Sequence, residues 1–179
     1  MNDYIKSDLM RYYGRFDTAT FCKAYIESST FRFQCALRLT QSYGLEKIIG
    51  LVLWKMNRTK KLIQIHRKTQ IGYGLYIGHG GPVVVNKTAV LGNNVNLSQF
   101  TTIGSNKGKA AVIGDNVYIG PNVCIVEDVN IGNNVTIGAG SVVTKNIPDN
   151  AKAVGNYAKV IHYNEPGRFV NRRWPVQNQ

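Results

Sequence analysis

The stretch IGDNVYIGPNVCIVEDVNIGNNVTIGAGSV, residues 113–142, runs through five successive blocks of six residues. A branched apolar residue opens each block, a glycine usually follows, and a valine or another small residue often stands fifth. The same phase begins near Ile65 and continues to Val143, with a slip of two residues before Val85 and of four before Ile113. A repeat this regular indicates the architecture before any single strand is assigned.

Three blocks make one coil of a parallel β-helix, so openers eighteen residues apart should stack. This predicts contacts within the pairs Ile113–Ile131, Ile119–Ile137 and Ile125–Val143. Glycine and asparagine suit the corners because a positive φ costs them little. The alternative, an antiparallel sandwich, is typical of turns at varied intervals of about 8–12 residues. Insertions in a solenoid become loops, so the two slips either mark a binding face or are neutral.

Residues 1–61 lack the repeat and carry apolar residues at helical spacing in 29–43 and 45–61. Two or three helices are expected there, with Ser7 and Asp8 as a helix cap. The predicted organisation is a helical cap (1–61), a β-helix (62–160) and a C-terminal tail (161–179) without periodicity, expected to be partly loose. The fold class is therefore mainly β with a small N-terminal α-helical region.

The chain has 22 Lys and Arg against 10 Asp and Glu, a net charge of +12. Such a surface suits nucleic acid, anionic lipid or a phosphorylated small molecule. Nucleic acid is not expected, because basic runs interleaved with aromatic residues and zinc-finger spacings are missing from the sequence. A basic cluster beside Trp54 is a candidate for contact with an anionic membrane surface; it consists of Lys55, Arg58, Lys60 and Lys61.

Three cysteines at irregular spacing predict reduced thiols. Because no apolar signal region follows Met1, the expected location is the cytoplasm, with the inner face of the membrane as an extension of it. The histidines at 66, 79 and 162 do not have the spacing of a metal cluster built from adjacent coils. No metal is expected.

The motifs IGHGGPVVVN (77–86), IGAGSVVTKNIPDNA (137–151) and GNYAKV (155–160) resemble those of the hexapeptide-repeat acyltransferases. Within that superfamily, residues 64–161 look most like the serine acetyltransferase branch, including its relatives that acetylate surface polysaccharides. The resemblance implies a left-handed parallel β-helix, a homotrimer with active sites between subunits, and acetyl-CoA as the donor.

The resemblance also implies roles for single residues. His79 matches the general base, which takes the proton of a hydroxyl as the oxygen attacks the thioester. The glycines Gly78, Gly80 and Gly81 are expected to leave room for donor and acceptor beside the ring. The residues expected to hold acetyl-CoA are Gly120, Pro121, Ala139, Thr144, Lys145 and Lys159.

The acceptor side departs from the serine enzymes of the family. Gln64 stands where they carry an Asp fifteen residues before the histidine, and Gly78 where they carry an Asp directly before it. The loop 104–111 offers Lys107 and Lys109 in place of an Arg-His pair. Gln64, Lys107 and Lys109 are therefore the candidate substrate-binding residues. The missing charges argue against serine as the acceptor, because a site built for a charged substrate needs charged contacts.

The sequence thus predicts an acetyl-CoA-dependent O-acetyltransferase that acts by direct transfer on a sugar hydroxyl, in capsular, exopolysaccharide or lipopolysaccharide biosynthesis. Three alternatives remain open. They are serine O-acetylation for cysteine biosynthesis, N-acetylation of an amino sugar, and a catalytically silent scaffold.

Overall fold

A computed structural model describes residues 1–58, 62–106 and 108–176. Within these residues four helices precede the strands, where two or three were expected: α1 (Asp3–Tyr13), α2 (Thr18–Glu27), α3 (Ser29–Leu39) and α4 (Gly44–Arg58). The two segments with helical spacing correspond to α3 and α4, so their interpretation is confirmed.

The described strands form three sheets, which are the three faces of a parallel β-helix. Sheet A contains β1 (Ile63–Ile65), β4 (Val83–Val85), β7 (Thr101–Gly104), β10 (Cys124–Val126) and β13 (Val142–Val143). Sheet B contains β2 (Gln70–Ile71), β5 (Val90–Leu91), β8 (Val112–Ile113) and β11 (Asn130–Ile131). Sheet C contains β3 (Tyr76–Ile77), β6 (Asn96–Leu97), β9 (Tyr118–Ile119), β12 (Thr136–Ile137), β14 (Lys152–Val154) and the antiparallel β15 (Lys159–His162).

The predicted stacking of the repeat is confirmed by the strand register. Ile131 pairs with Ile113, Ile137 with Ile119, and Val143 with Ile125. The openers of the repeat point inward and are buried along the axis of the prism. The two slips lie at different corners, because residues 78–82 connect sheet C to sheet A whereas residues 105–111 connect sheet A to sheet B. They therefore do not mark one common corner.

The expectation that Ser7 and Asp8 cap a helix is wrong. Helix α1 begins four residues earlier, where the Asn2 side chain accepts a hydrogen bond from the Ile5 backbone N–H at 3.0 Å. Ser7 and Asp8 lie inside the helix and are buried. Their partners are backbone amides of the first coil, Gly74 N–H for Ser7 and Leu75 N–H for Asp8. Such tertiary partners leave no local pattern in the sequence.

The helical cap is fastened to the first coil by a buried ion pair. The Arg38 guanidinium donates to both carboxylate oxygens of Asp8 at 2.9 Å, and both side chains are about 1% exposed. Arg38 also donates to the carbonyl oxygens of Ile71 and Gly72. Removal of one partner of a buried pair leaves an uncompensated charge, so this contact fixes the cap on the solenoid.

The described part of the tail, through residue 176, is attached to the solenoid and not loose. It runs back along sheet C, where the side chain of Asn96 donates to the Phe169 carbonyl oxygen at 3.1 Å. The Trp174 backbone N–H donates to Asn94 at 2.8 Å. The Asn171 carbonyl oxygen accepts from Arg11 on α1 at 2.8 Å. The tail therefore ties the β-helix to the helical cap.

Candidate active site

His79 lies in the connection from β3 to β4 and is exposed. Its backbone φ is +60°, in the left-handed region that residues other than Gly and Asn rarely adopt. A positive φ recurs at other corners of the solenoid, for example at Asn94, Phe100 and Asn122, so it marks His79 as a corner residue. The feature that allows a functional role is the exposure of its imidazole to solvent.

Four residues at the corner that leads from sheet C to sheet A, called here the C–A corner, are equivalent when counted from sheet C. Each stands two residues after a paired position of sheet C, namely Ile77, Leu97, Ile119 or Ile137. These four residues are His79, Gln99, Pro121 and Ala139. Counted from sheet A, the first coil has its two extra residues here, so the Phe100 N–H donates to the Pro82 carbonyl oxygen where the Asn122 N–H of the next coil donates to that of Gln99. The structure thus brings the predicted base and two of the predicted donor residues onto one edge of the prism.

The glycines around His79 are explained by contacts within the chain. A Cβ atom on Gly81 would lie 2.8 Å from the Cβ of Gln99, and one on Gly80 would lie 2.8 Å from Oγ1 of Thr30. Gly80 also has a φ of +60°. Packing of the loop against α3 and the next coil therefore requires small residues here. The small size of Gly80 and Gly81 was expected to leave room for ligands, but it is already required by this packing.

The helical cap supports the strand that carries His79. Tyr12 Oη lies 3.0 Å from the Ile77 carbonyl oxygen and 2.5 Å from Oε1 of Gln34. Gln34 donates to the Leu75 carbonyl oxygen at 2.8 Å. Burial raises the pKa of Tyr12 well above its ordinary value, so the phenol stays protonated and remains a donor. The cap therefore fixes β3 two residues before the candidate base.

Gln64 lies apart from His79 within the single chain. It is exposed on β1, paired with Val84, and lines a surface cavity of about 620 Å³ together with Trp54 and Lys87. The described lining of this cavity does not include His79. The structure therefore gives no intrachain contact through which Gln64 orients the imidazole.

The remaining predicted donor residues are distributed over the last two coils and β15. Gly120 is buried, and a Cβ there would lie 2.9 Å from the Ala139 backbone nitrogen, so its small size serves coil stacking. Thr144 and Lys145 are exposed at the opposite edge of sheet A, where the chain turns toward sheet B. Lys159 is exposed on β15, opposite Val154.

The predicted basic contacts of the loop 104–111 are only partly visible. Lys109 is exposed at the corner between sheets A and B. Lys107 lies outside the described residues. The loop therefore does not place a described cation on the C–A corner.

Gln99 is a candidate site residue that the sequence reasoning missed. It is half-buried beside Gly81, and its Oε1 is buried without a hydrogen-bond partner among the described residues. A buried acceptor left unpaired costs free energy, and ligand binding is one way to satisfy it. The sequence could have indicated it, because Gln99 stands two residues after Leu97, as Pro121 stands two residues after Ile119.

Metal ligation has no obvious place in the part of the chain that the structure describes. Among residues 1–58, 62–106 and 108–176, no three His, Cys, Asp or Glu side chains are grouped as a metal site requires. The three cysteines are free thiols.

Comparisons with known proteins identify the class. A family model described as bacterial transferase hexapeptide (six repeats) matches residues 110–145. A serine acetyltransferase of Bacillus pumilus is 30% identical over 167 residues, covering 88% of this chain and 76% of that protein. Arabidopsis thaliana serine acetyltransferase 3, mitochondrial, is 35% identical over 119 residues, covering 64% of this chain and 30% of that protein.

Among solved structures, serine acetyltransferase of Neisseria gonorrhoeae in complex with serine superposes with a TM-score of 0.70. It is 30% identical, covering 87% of this chain and 67% of that one. The chain therefore belongs to the hexapeptide-repeat transferases, with the left-handed β-helix that the resemblance implied. Within them it belongs to the serine acetyltransferase-like branch. It spans less than two thirds of several relatives, 49% in the case of the Synechococcus elongatus protein.

Proposed function

We propose that this chain transfers an acetyl group from acetyl-CoA to a hydroxyl, with His79 as the general base. The observation that carries the proposal is that the exposed His79 lies at the C–A corner, the same edge of the prism as Pro121 and Ala139. Neighbouring coils are ~4.8 Å apart, so the four corner positions extend over ~14 Å. Such an edge suits an elongated ligand like the pantetheine arm of acetyl-CoA, and the family supports the same donor.

The proposed step is a direct transfer. The acceptor oxygen attacks the thioester carbon while the imidazole of His79 removes the hydroxyl proton. The C–S bond then breaks, and the departing coenzyme A thiolate receives the proton from the imidazolium of His79. The exposed ring of His79 can reach both the donor and an acceptor that enters from solvent.

The comparisons support L-serine as the first acceptor to test. The relatives from Bacillus pumilus and Arabidopsis thaliana carry the name serine acetyltransferase, and the Neisseria gonorrhoeae structure contains serine. They support serine O-acetylation better than acetylation of a sugar, which was the first expectation from the sequence.

A sugar hydroxyl is the second candidate, because a specific observation favours it. The residue before His79 is the uncharged Gly78, and the loop 104–111 places no described cation on the C–A corner. Serine brings a carboxylate and an ammonium group, and buried charges need partners. A neutral acceptor needs none, so the uncharged surroundings of His79 suit a sugar of a surface polysaccharide.

The proposal includes a homotrimer with sites between subunits and a location in the cytoplasm. His79 and Ala139 are exposed at the C–A corner of the single chain, and in the proposed trimer a neighbouring copy faces this corner and completes the site. Light scattering should give the mass of three chains. A monomer that nevertheless turns over acetyl-CoA would contradict this part of the proposal.

The experiment that tests the function measures release of the coenzyme A thiol from acetyl-CoA with three acceptors. They are L-serine, oligosaccharides of a surface glycan, and glucosamine. Release with serine alone would establish the biosynthetic function, and release with the glycan alone would establish the sugar hydroxyl. Release with glucosamine, with the product acetylated on nitrogen, would favour the N-acetyltransferase alternative. Failure of acetyl-CoA to bind in calorimetry would overturn the proposal in favour of a scaffold.

A further inference from the structure

Helix α4 presents an apolar stripe that no described part of the chain covers. Its members follow one another at intervals of one, three or four residues and are between 45% and 71% exposed. They are Leu45, Ile48, Ile49, Val52 and Met56. At 3.6 residues per turn these positions lie on one face of the helix. Contiguous exposed aliphatic surface of this kind usually marks an interaction site.

The stripe faces away from the fold because of where α4 is attached. At Gly50 the helix approaches α3 so closely that a Cβ would lie 2.5 Å from the backbone carbon of Leu39. Ile48 and Val52 are each two residues from Gly50, which places them on the opposite side of the helix. The attachment therefore holds the stripe toward solvent along a helix about 22 Å long.

The charges of α4 indicate what covers the stripe. The sequence of the helix has three cations, Lys47, Lys55 and Arg58, against one acid, Glu46, and Lys55 follows Val52 by three residues, which places it at the edge of the stripe. A second copy of this helix laid on the stripe would bring the same excess of cations against it. A polyanion such as nucleic acid would satisfy the cations and leave the aliphatic side chains in water. An anionic lipid surface satisfies both.

We propose that α4 lies in the plane of an anionic membrane surface, with its aliphatic stripe among the head groups and its cations on the lipid phosphates. The helix lies on the membrane and does not cross it. Among the helices that the structure describes, none is long and apolar enough to span a bilayer. This inference is independent of the acceptor, because it concerns a surface of the helical cap and not the C–A corner.

The test is cosedimentation of the full chain with phospholipid vesicles at low salt. Vesicles of phosphatidylcholine with one quarter phosphatidylglycerol should bind the protein, and vesicles of phosphatidylcholine alone should bind it at least about tenfold more weakly. The double variant Ile48→Asp, Val52→Asp should reduce binding to the anionic vesicles by at least about tenfold. Lys55→Gln should reduce it severalfold, and 0.5 M salt should do the same, since it screens the charge contribution.

Ile26→Asp is the matched control. Ile26 is 76% exposed on α2, outside the stripe. One aspartate there is matched to Val52→Asp alone, which also adds a single negative charge: Val52→Asp should weaken vesicle binding, and Ile26→Asp should leave it unchanged. Circular dichroism should show all variants folded, because the substituted side chains are exposed. Three outcomes would overturn the proposal. They are no binding by the unchanged protein, an equal loss in the control, and a lower oligomer mass of the double variant in sedimentation velocity, which would show that a second copy covers the stripe.

Discussion

Two corners of the same prism are built in different ways. At the corner from sheet B to sheet C, called here the B–C corner, side chains of one coil bind the backbone of the adjoining coil. Asn93 N–H donates to Asp115, Asp115 N–H to Asn133, and Asn133 N–H to Asp149, at 2.6–2.8 Å. A second ladder links the side-chain amides of the neighbouring asparagines at 3.0–3.2 Å: Asn94, Asn116, Asn134 and Asn150.

The C–A corner has no such ladder among its described residues. His79, Gln99, Pro121 and Ala139 follow one another without side-chain hydrogen bonds between coils, and Gln99 keeps a buried acceptor unpaired. A corner whose polar groups are satisfied by its own side chains offers little to a ligand. Gln99 leaves the C–A corner a polar group that a ligand can pair, whereas the side chains of the B–C ladder pair with one another.

The largest expected effect is that of His79→Asn on catalysis. Loss of a general base typically lowers the rate by about 10²–10⁴-fold, so kcat should fall by at least about 100-fold with the acceptor that supports thiol release. Asparagine is chosen because it tolerates the φ of +60° that His79 adopts. Urea unfolding should therefore give an unchanged free energy of unfolding. A variant that retains most of its kcat would remove His79 from the reaction.

The B–C corner should respond in the opposite way to Asn116→Ala. The change removes two ladder hydrogen bonds, from Asn94 and to Asn134, and places alanine at a φ of +56°. The expected loss is about 2 kcal/mol of unfolding free energy. Thermal unfolding should show it as a decrease of about 4–8 °C in Tm. The kinetic constants should stay the same.

Asn116→Gly separates the two causes of that loss. Glycine also lacks the ladder but accepts the positive φ, so it should be less destabilising than alanine. If both variants keep the original Tm, the ladder does not stabilise the corner, and the contrast between the two corners fails.

The repeat made most of the fold accessible from the sequence. A six-residue period predicts which residues are buried, and eighteen residues per coil predict which residues stack. The pairing of Ile113 with Ile131 is therefore predicted by counting along the sequence. The same counting places Pro121 and Ala139 on one edge. The two insertions can also be recognised from the sequence, because each one breaks the six-residue period wherever its side chains pack.

What the sequence did not give depends on contacts between distant segments. Ser7 and Asp8 read as a helix cap because their partners, the amides of Gly74 and Leu75, are 67 residues away. Gly81 read as space for a ligand, whereas it accommodates the side chain of Gln99. The pairing of His79 with Gln64 was inferred from a family spacing, and the single chain places the two in different surroundings.

A smaller effect is expected when the open corner is filled. Ala139→Leu adds bulk at an exposed position, where the free energy of unfolding should hardly change. If the pantetheine arm follows this corner, the KM for acetyl-CoA should rise by about tenfold while kcat changes little, because the added side chain occupies the donor's path. Val112→Leu is the control, since Val112 is exposed on sheet B. An equal rise in both variants would argue against the C–A corner as the donor path.

The smallest effect on the KM for acetyl-CoA is expected from substitution of Lys145. This substitution tests how far the donor extends beyond the C–A corner. Lys145 is exposed on the other edge of sheet A from Ala139, where its ammonium group can meet a phosphate of coenzyme A only if the donor turns across that face. Exposed charge contacts are weak and screened by salt. Lys145→Gln should therefore raise the KM for acetyl-CoA only about two- to fivefold, and less at 0.5 M salt. Lys152→Gln, on β14 of sheet C, is the matched control for the loss of one positive charge. An unchanged KM in Lys145→Gln would confine the donor to the C–A corner, and an equal rise in both variants would indicate a general effect of net charge.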